Sequence, residues 1–172
     1  MVHSFLRRAA LGVVLSAAVS AWFVLPTHGG EAADMSMVEP QTLKFAPIAG
    51  APACVTAAPV RGDPTKGASI LLVKLADGCR VPWHWHTANE QLMVVSGTGT
   101  LEMKDGKKLR LRAGAYASLP GRQIHQAACS KSCMFFNSAD TAFDIHYVDE
   151  TGKEIAADEA LKKRTPSKAQ KK

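Results

Sequence analysis

The chain has 172 residues, 47% hydrophobic and 21% charged, which is enough for one globular domain with its own core and too short for two. Its formal net charge of +6 is confined to the ends: setting aside Arg7, Arg8 and Glu31 near the start and six cations between Lys162 and Lys172 leaves 13 basic against 14 acidic residues over 33–161. A body so nearly neutral argues against a nucleic-acid-binding protein, and the closing "KKRTPSKAQKK" reads as a solvated, disordered tail.

In chain order, Arg7 and Arg8 precede the apolar run "AALGVVLSAAVSAWFVL", and small residues follow in "THGGEAAD". That order predicts a signal peptide over 1–32, cleaved after Ala32. The mature protein is then expected in the periplasm or outside the cell, with no stable membrane insertion. The Arg-Arg pair leaves Sec and twin-arginine export both open.

The segment 33–59 is expected to be an N-terminal extension carrying a first strand, "TLKFAPI". Short strand-like runs then recur about every ten residues: "ASILLVKL", "VPWHWH", "EQLMVV", "GTLEM", "KLRLR", "AYASL", "IHQAAC", "MFFN" and "AFDIHYV". Asp105-Gly106 marks a tight hairpin, and "KLRLR" places Leu109 and Leu111 inward with its cations outward. The spacing predicts an all-β sandwich or barrel over 60–150. The segment 151–172 adds a short helix within "EIAADEALKKR", expected as a surface appendage, and the basic tail.

Cys54, Cys79, Cys129 and Cys133 are an even count in a chain expected to be exported, so disulfides are expected, with three connectivities open. "CSKSC" suits a bridge across a hairpin loop, which leaves Cys54 for Cys79.

The chemistry concentrates in "GCRVPWHWHTANEQLMVVSG". Strand residues two apart share a face, so His84 and His86 point one way and Trp83 and Trp85 the other. Glu90, after the turn-forming "TAN", can fold its carboxylate over both imidazoles. His125 follows a second turn at Pro120-Gly121. Three imidazoles and one carboxylate can hold a divalent transition metal (Mn, Fe, Zn, Cu or Ni) and leave one or two coordination positions open. His146, beside Asp144, stands either as an outer partner of such a centre or as an ordinary strand histidine. Outward Trp83, Trp85, Met93 and Val95 predict an apolar patch and a homodimer.

The spacing Gly78, His84, His86, Glu90, Gly97 matches G-x5-H-x-H-x3-E-x6-G, and Gly114, Pro120 and His125 match a second motif that departs at Arg122 and Cys129. On these residues the chain resembles the cupin superfamily. "GDPTKG" and "FDIHYVD" are similar to the small ChrR-like members. The resemblance implies a cupin-type double-stranded β-helix, or jelly-roll, with metal bound inside by His84, His86, Glu90 and His125. Two functions follow as expectations. One is a metalloenzyme, of oxygenase, decarboxylase or isomerase type, acting on a small oxygenated molecule in a pocket with Leu92, Val94, Met103 and Phe143; Tyr116, Tyr147 and His146 are its candidate acid–base groups. The other is a non-catalytic module that senses a ligand or metal.

Overall fold

A computed structural model describes residues 37–162. The expected leader and most of the basic tail lie outside the described residues. Among those described, no helix is long and apolar enough to cross a membrane.

Among the described residues nine strands follow one another: β1 (Ala46–Pro47), β2 (Val55–Arg61), β3 (Ser69–Leu75), β4 (Arg80–Trp85), β5 (Glu90–Met103), β6 (Lys108–Leu111), β7 (Tyr116–Leu119), β8 (His125–Ala139) and β9 (His146–Tyr147). One helix, α1 (Ala157–Lys162), closes the described chain. All pairings between named strands are antiparallel.

The architecture turns on β5 and β8, which pair along almost their whole length from Glu90↔Ala139 to Met103↔His125. The first half of β5 and the second half of β8 sit in one sheet, between β7 on one side and β3, β2 and β1 on the other. The remaining halves sit in a second sheet, between β6 and the pair β4–β9. Two long strands that pass from one sheet into the other, with register shifts at the corner, fold the sheet over on itself. This is a jelly-roll, the arrangement that the resemblance implies. Alternation sends Leu71, Val73, Leu75, Leu92, Leu101 and Phe135 to the inside, where they form the core.

The corner explains two glycines and one disulfide. A Cβ on Gly97 would run into the Ser132 carbonyl, and one on Gly99 into the Ala128 carbonyl, so the two strands approach there too closely for a side chain. Facing them, Cys129 and Cys133 are bridged, with Cα atoms 6.0 Å apart. Cys54 is bridged to Cys79. The pairing matches expectation, but the setting of "CSKSC" does not: β8 runs straight through it, bulging without reversing, because β5 remains its partner on both sides.

Other elements also differ from the sequence reading. "EQLMVV" and "GTLEM" are one strand, as are "IHQAAC" and "MFFN". β2, with Pro59 at its middle, was not among the expected strands. Proline is tolerated because β1 covers only Thr56 and Ala57 and leaves that edge of Pro59 without a strand partner. "TLKFAPI" and "AFDIHYV" shrink to two-residue strands. The Asp105-Gly106 hairpin forms as expected, with Gly106 at φ 89° and its N–H donating to the Met103 carbonyl. Helix α1 is shorter than expected and is no appendage: Ala160 is buried, and Ile155, Ala157 and Leu161 pack against the core.

Trp83 and Trp85 are half-buried, each packed against groups of its own chain. Lys104 Nζ lies 4.8 Å above the Trp83 ring, and Ile155 and Ala160 line the same cleft as that ring. The His146 ring stacks on Trp85 at 3.9 Å and Arg122 approaches the same indole at 5.1 Å. Exposed apolar side chains lie elsewhere: Met37 and Val38 at the start of the described residues, and, on the sheet, Met93, its cross-strand partner Tyr116, and Val95.

Candidate metal centre

Strand geometry brings the four expected residues together. His84 lies on β4 and pairs directly with His125, the first residue of β8. His86 follows the last residue of β4, on the same face as His84, and Glu90 opens β5. All four are buried. One nitrogen from each of His84, His86 and His125 falls within a 4.8 Å group able to hold a metal ion. Glu90 Oε2 stands 3.3 Å from His86 Nε2 and 4.0 Å from His125 Nε2. Ligands at about 2.0–2.2 Å from an ion stand about 3–4 Å apart, so modest contraction around a cation would complete the geometry.

The hydrogen bonds decide which nitrogens face inward. Nδ1 of His84 donates to the Pro82 carbonyl at 2.6 Å, Nδ1 of His125 to the Gln123 carbonyl at 2.9 Å, and Nδ1 of His86 to the Asp144 carbonyl. A carbonyl can only accept, so each Nδ1 carries the proton and each Nε2 keeps its lone pair. Two of these acceptors lie two residues before the histidine, a local arrangement that fixes ring orientation within the strand. Glu90 Oε1 accepts from Asn137 Nδ2 at 2.6 Å, which leaves Oε2 toward the imidazoles. Each donor is thus oriented by a bond on its far side, as metal-ligating side chains are.

The electrostatics agree. Burial drives the pKa of His84 well below its ordinary value, reinforced by repulsion from His125 and His86, and burial lowers those of His86 and His125. Burial raises that of Glu90. The histidines are therefore neutral at pH 7, the form in which imidazole binds metal.

The loop between His86 and Glu90 is pinned from outside. Thr87 N–H donates to Asp144 Oδ1 at 2.7 Å, and Asn89 donates to Asp140 through both its backbone and its side chain, at 2.9 and 2.6 Å. Arg122 N–H donates to the His86 carbonyl at 2.8 Å. Asn137 and Asp140 are supports that sequence reasoning missed, and Asp144, expected only as the neighbour of His146, also holds His86 and Thr87. The one signal for Asn137 was a polar residue on the inward face of "MFFNSA".

The centre opens on a cavity of about 70 Å³ whose other walls are mainly apolar. Leu92 and Phe143 line it as expected, with the Phe143 ring 4.8 Å from that of His86. Val94 and Met103 are buried in the core and do not line it. Neither tyrosine faces it: Tyr116 is exposed on the outer surface, and the Tyr147 hydroxyl donates to the Gly50 carbonyl at 2.9 Å, its pKa pushed up to about 12 by burial. His146 lies outside too, between Asp144 Oδ2 at 3.1 Å and Glu154 Oε1 at 3.0 Å.

A jelly-roll with inward histidines from adjacent strands and a carboxylate at the head of the next defines a cupin with a candidate metal centre. The ChrR cupin-like domain model matches residues 33–141, and the chain belongs to that family. No curated protein matches it. Among solved structures, the polyketide cyclase RemF from Streptomyces resistomycificus is 18% identical, with a TM-score of 0.59 over 67% of this chain and 87% of that one. A cupin-2 domain protein of Rhodospirillum rubrum, Rru_A2000, is 13% identical at TM-score 0.55, over 69% and 84%. KdgF from Halomonas sp. is 18% identical at TM-score 0.53, over 62% and 94%. At these identities the likeness establishes the fold.

Proposed function

We propose that the protein is an exported metal-binding cupin in which His84, His86, Glu90 and His125 hold one divalent transition metal, and that the centre acts as a metalloenzyme on a small oxygenated molecule. One observation carries this reading: all three imidazoles spend Nδ1–H on backbone carbonyls, so their lone pairs and Glu90 Oε2 gather in one buried space. Three neutral nitrogens and one carboxylate would leave a dication with a net charge of about +1 and an unfilled position facing the cavity. When bound, such an ion supplies Lewis acidity toward an oxygen ligand. The chain's own part is to fix the donors, hold Glu90 through Asn137, and keep the apolar walls dry. Room of about 70 Å³ favours a small ligand.

A second reading, a ligand- or metal-sensing module, is favoured by the absence of an acid–base group besides the ligands themselves among the described cavity-lining residues. Elemental analysis of native protein, followed by water-proton relaxation of the Mn(II)-loaded form, separates the two. One equivalent of metal with a rapidly exchanging water supports the enzyme; a coordinatively closed ion supports the sensor. If His84→Ala or His86→Ala retained a full equivalent of metal, the ligand assignment would be wrong.

Export is supported by the two disulfides, which persist in oxidising compartments. Exposed Met93, Val95 and Tyr116 are the face we assign to a homodimer. Sedimentation equilibrium checks it, with Met93→Lys expected to give monomers.

A further inference from the structure

The outer surface of the second sheet carries a row of residues with no part in the metal centre. Arg110 on β6 pairs with Thr100 on β5, Thr100 with Ala128 on β8, and Ala128 with Arg80 on β4. Strands stand about 4.8 Å apart, so the two arginines begin about 14 Å from each other across a floor of small residues. Arg112, just past the end of β6, joins them. Together they border an open groove of about 630 Å³ whose lining includes the hydroxyls of Thr98, Thr100 and Ser130 and no acidic side chain.

The neighbouring row shows what a neutralised arrangement looks like on this sheet. There Lys108, Glu102 and Gln126 are in register, and Glu102 takes both Lys108, at 3.1 Å, and Gln126, at 3.2 Å. At the other margin, Asp77 is occupied by the Ser132 N–H at 2.6 Å. Arg80, Arg110 and Arg112 make no ion pair or side-chain hydrogen bond among the described residues. The Thr98 and Thr100 hydroxyls are likewise unpartnered there, whereas Ser130 Oγ donates to the Thr98 carbonyl at 2.9 Å.

We propose that this groove is a binding site for a small phosphomonoester, with its phosphate held between Arg80 and Arg110 above Thr100. A carboxylate offers two oxygens, which one guanidinium fork satisfies. A phosphate monoester presents three peripheral oxygens and about two negative charges, which suits forks approaching from opposite walls with a threonine hydroxyl below. The groove's volume exceeds that of one phosphate and accommodates the organic remainder. The site stands apart from the metal centre: His125 and Ala127 face inward on β8 while Gln126 and Ala128 face out.

The test is calorimetric titration of the full chain, at low ionic strength and after EDTA treatment, with glycerol 3-phosphate, inorganic phosphate, sulfate and glycerol. Expected is one equivalent of glycerol 3-phosphate bound, with phosphate weaker, sulfate weaker still and glycerol silent. Arg80→Gln and Arg110→Gln should each weaken binding about tenfold or more, and the pair should abolish it. Lys66→Gln should leave it within about twofold. All three side chains are exposed, so matching melting curves establish that the variants fold. The proposal is overturned if glycerol 3-phosphate shows no saturable binding, if the arginine variants bind like the wild type, or if sulfate binds equally well. Binding of heparin or of anionic phosphatidylglycerol vesicles without binding of glycerol 3-phosphate also overturns it.

Discussion

Asn137→Leu removes the 2.6 Å bond from Nδ2 to Glu90 Oε1 and places an isosteric apolar group against the cavity. A hydrogen bond to an ionised group contributes about 1.5–3 kcal/mol. Loss of the group that orients a metal ligand typically lowers affinity about 10–100-fold. The same substitution deletes Asn137 Oδ1, a buried acceptor with no partner, whose desolvation costs about 1–3 kcal/mol. In the metal-free protein the two changes offset to within about 1 kcal/mol, a shift of no more than about 4 °C in the melting midpoint. In the metal-bound protein only the first matters, because a freely turning Glu90 presents Oε2 to the ion less often. Chelator competition with Co(II) should therefore show about 10–100-fold weaker binding while the EDTA-treated variant melts close to wild type. Asn137→Asp should be worse on both counts, since it sets a second carboxyl against Glu90 in a buried site. Metal affinity within about twofold of wild type would refute the claim that Asn137 aims Glu90.

Three further outcomes are expected. Replacing Cys54 and Cys79 should destabilise the fold more than replacing Cys129 and Cys133, because the loops closed span 25 and 4 positions, worth about 3.5 and 2 kcal/mol of unfolded-chain entropy; equal melting points for the two double variants would contradict this. Arg122 adopts φ 65°, where a side chain costs about 1–2 kcal/mol, but its guanidinium lies over Trp85, so Arg122→Gly gains in strain about what it loses in ring contact and chain entropy; denaturant unfolding should change by less than about 1 kcal/mol. His146 is partly desolvated, yet Glu154 and Asp144 outweigh that and raise its pKa. Its contribution to stability is thus complete below the ordinary histidine value near 6.5 and lost as pH rises through the higher folded value, so wild type should lose its margin over His146→Gln across that window, and a constant margin would show that the carboxylates contribute nothing.

What could be read in the sequence follows from how far each signal reaches along the chain. The i, i+2 spacing of His84 and His86 is a local property of any strand, and Glu90 at the head of the next is four residues on. His125 needed its own turn, at Pro120 and Gly121, to be placed. Asn137, Asp140 and Asp144 act on Glu90, Asn89 and His86 from 47, 51 and 58 positions away, and no local pattern announces a partner so distant. The long strands were hidden for another reason. Apolar alternation in β5 breaks at Gly97 and Gly99, and in β8 at "CSKSC", because these are the places where the two strands press together and turn the corner. A break in alternation reads as a loop, although here it is the mark of a strand that bends. Pro59 concealed β2 in the same way, since a sequence does not announce which strand edge lacks a neighbour.

The same pairing accounts for both faces of the second sheet. Inside, β4 and β8 put His84 opposite His125; outside, they put Arg80 opposite Ala128. β5 adds Glu90 within the barrel at one end and Thr100 on the outer surface toward the other, ten residues apart along a strand bent at its glycines. A slip of one residue in β8 would turn His125 outward and Gln126 inward, taking one imidazole from the centre and disordering the arginine row together. The Cys129–Cys133 bridge spans one of the register shifts between β5 and β8, at Thr98 and Gly99. Its modest expected effect on global stability thus understates its place in the site: it ties off an irregular stretch of β8 between His125, which faces the candidate metal centre, and Asn137, which holds Glu90.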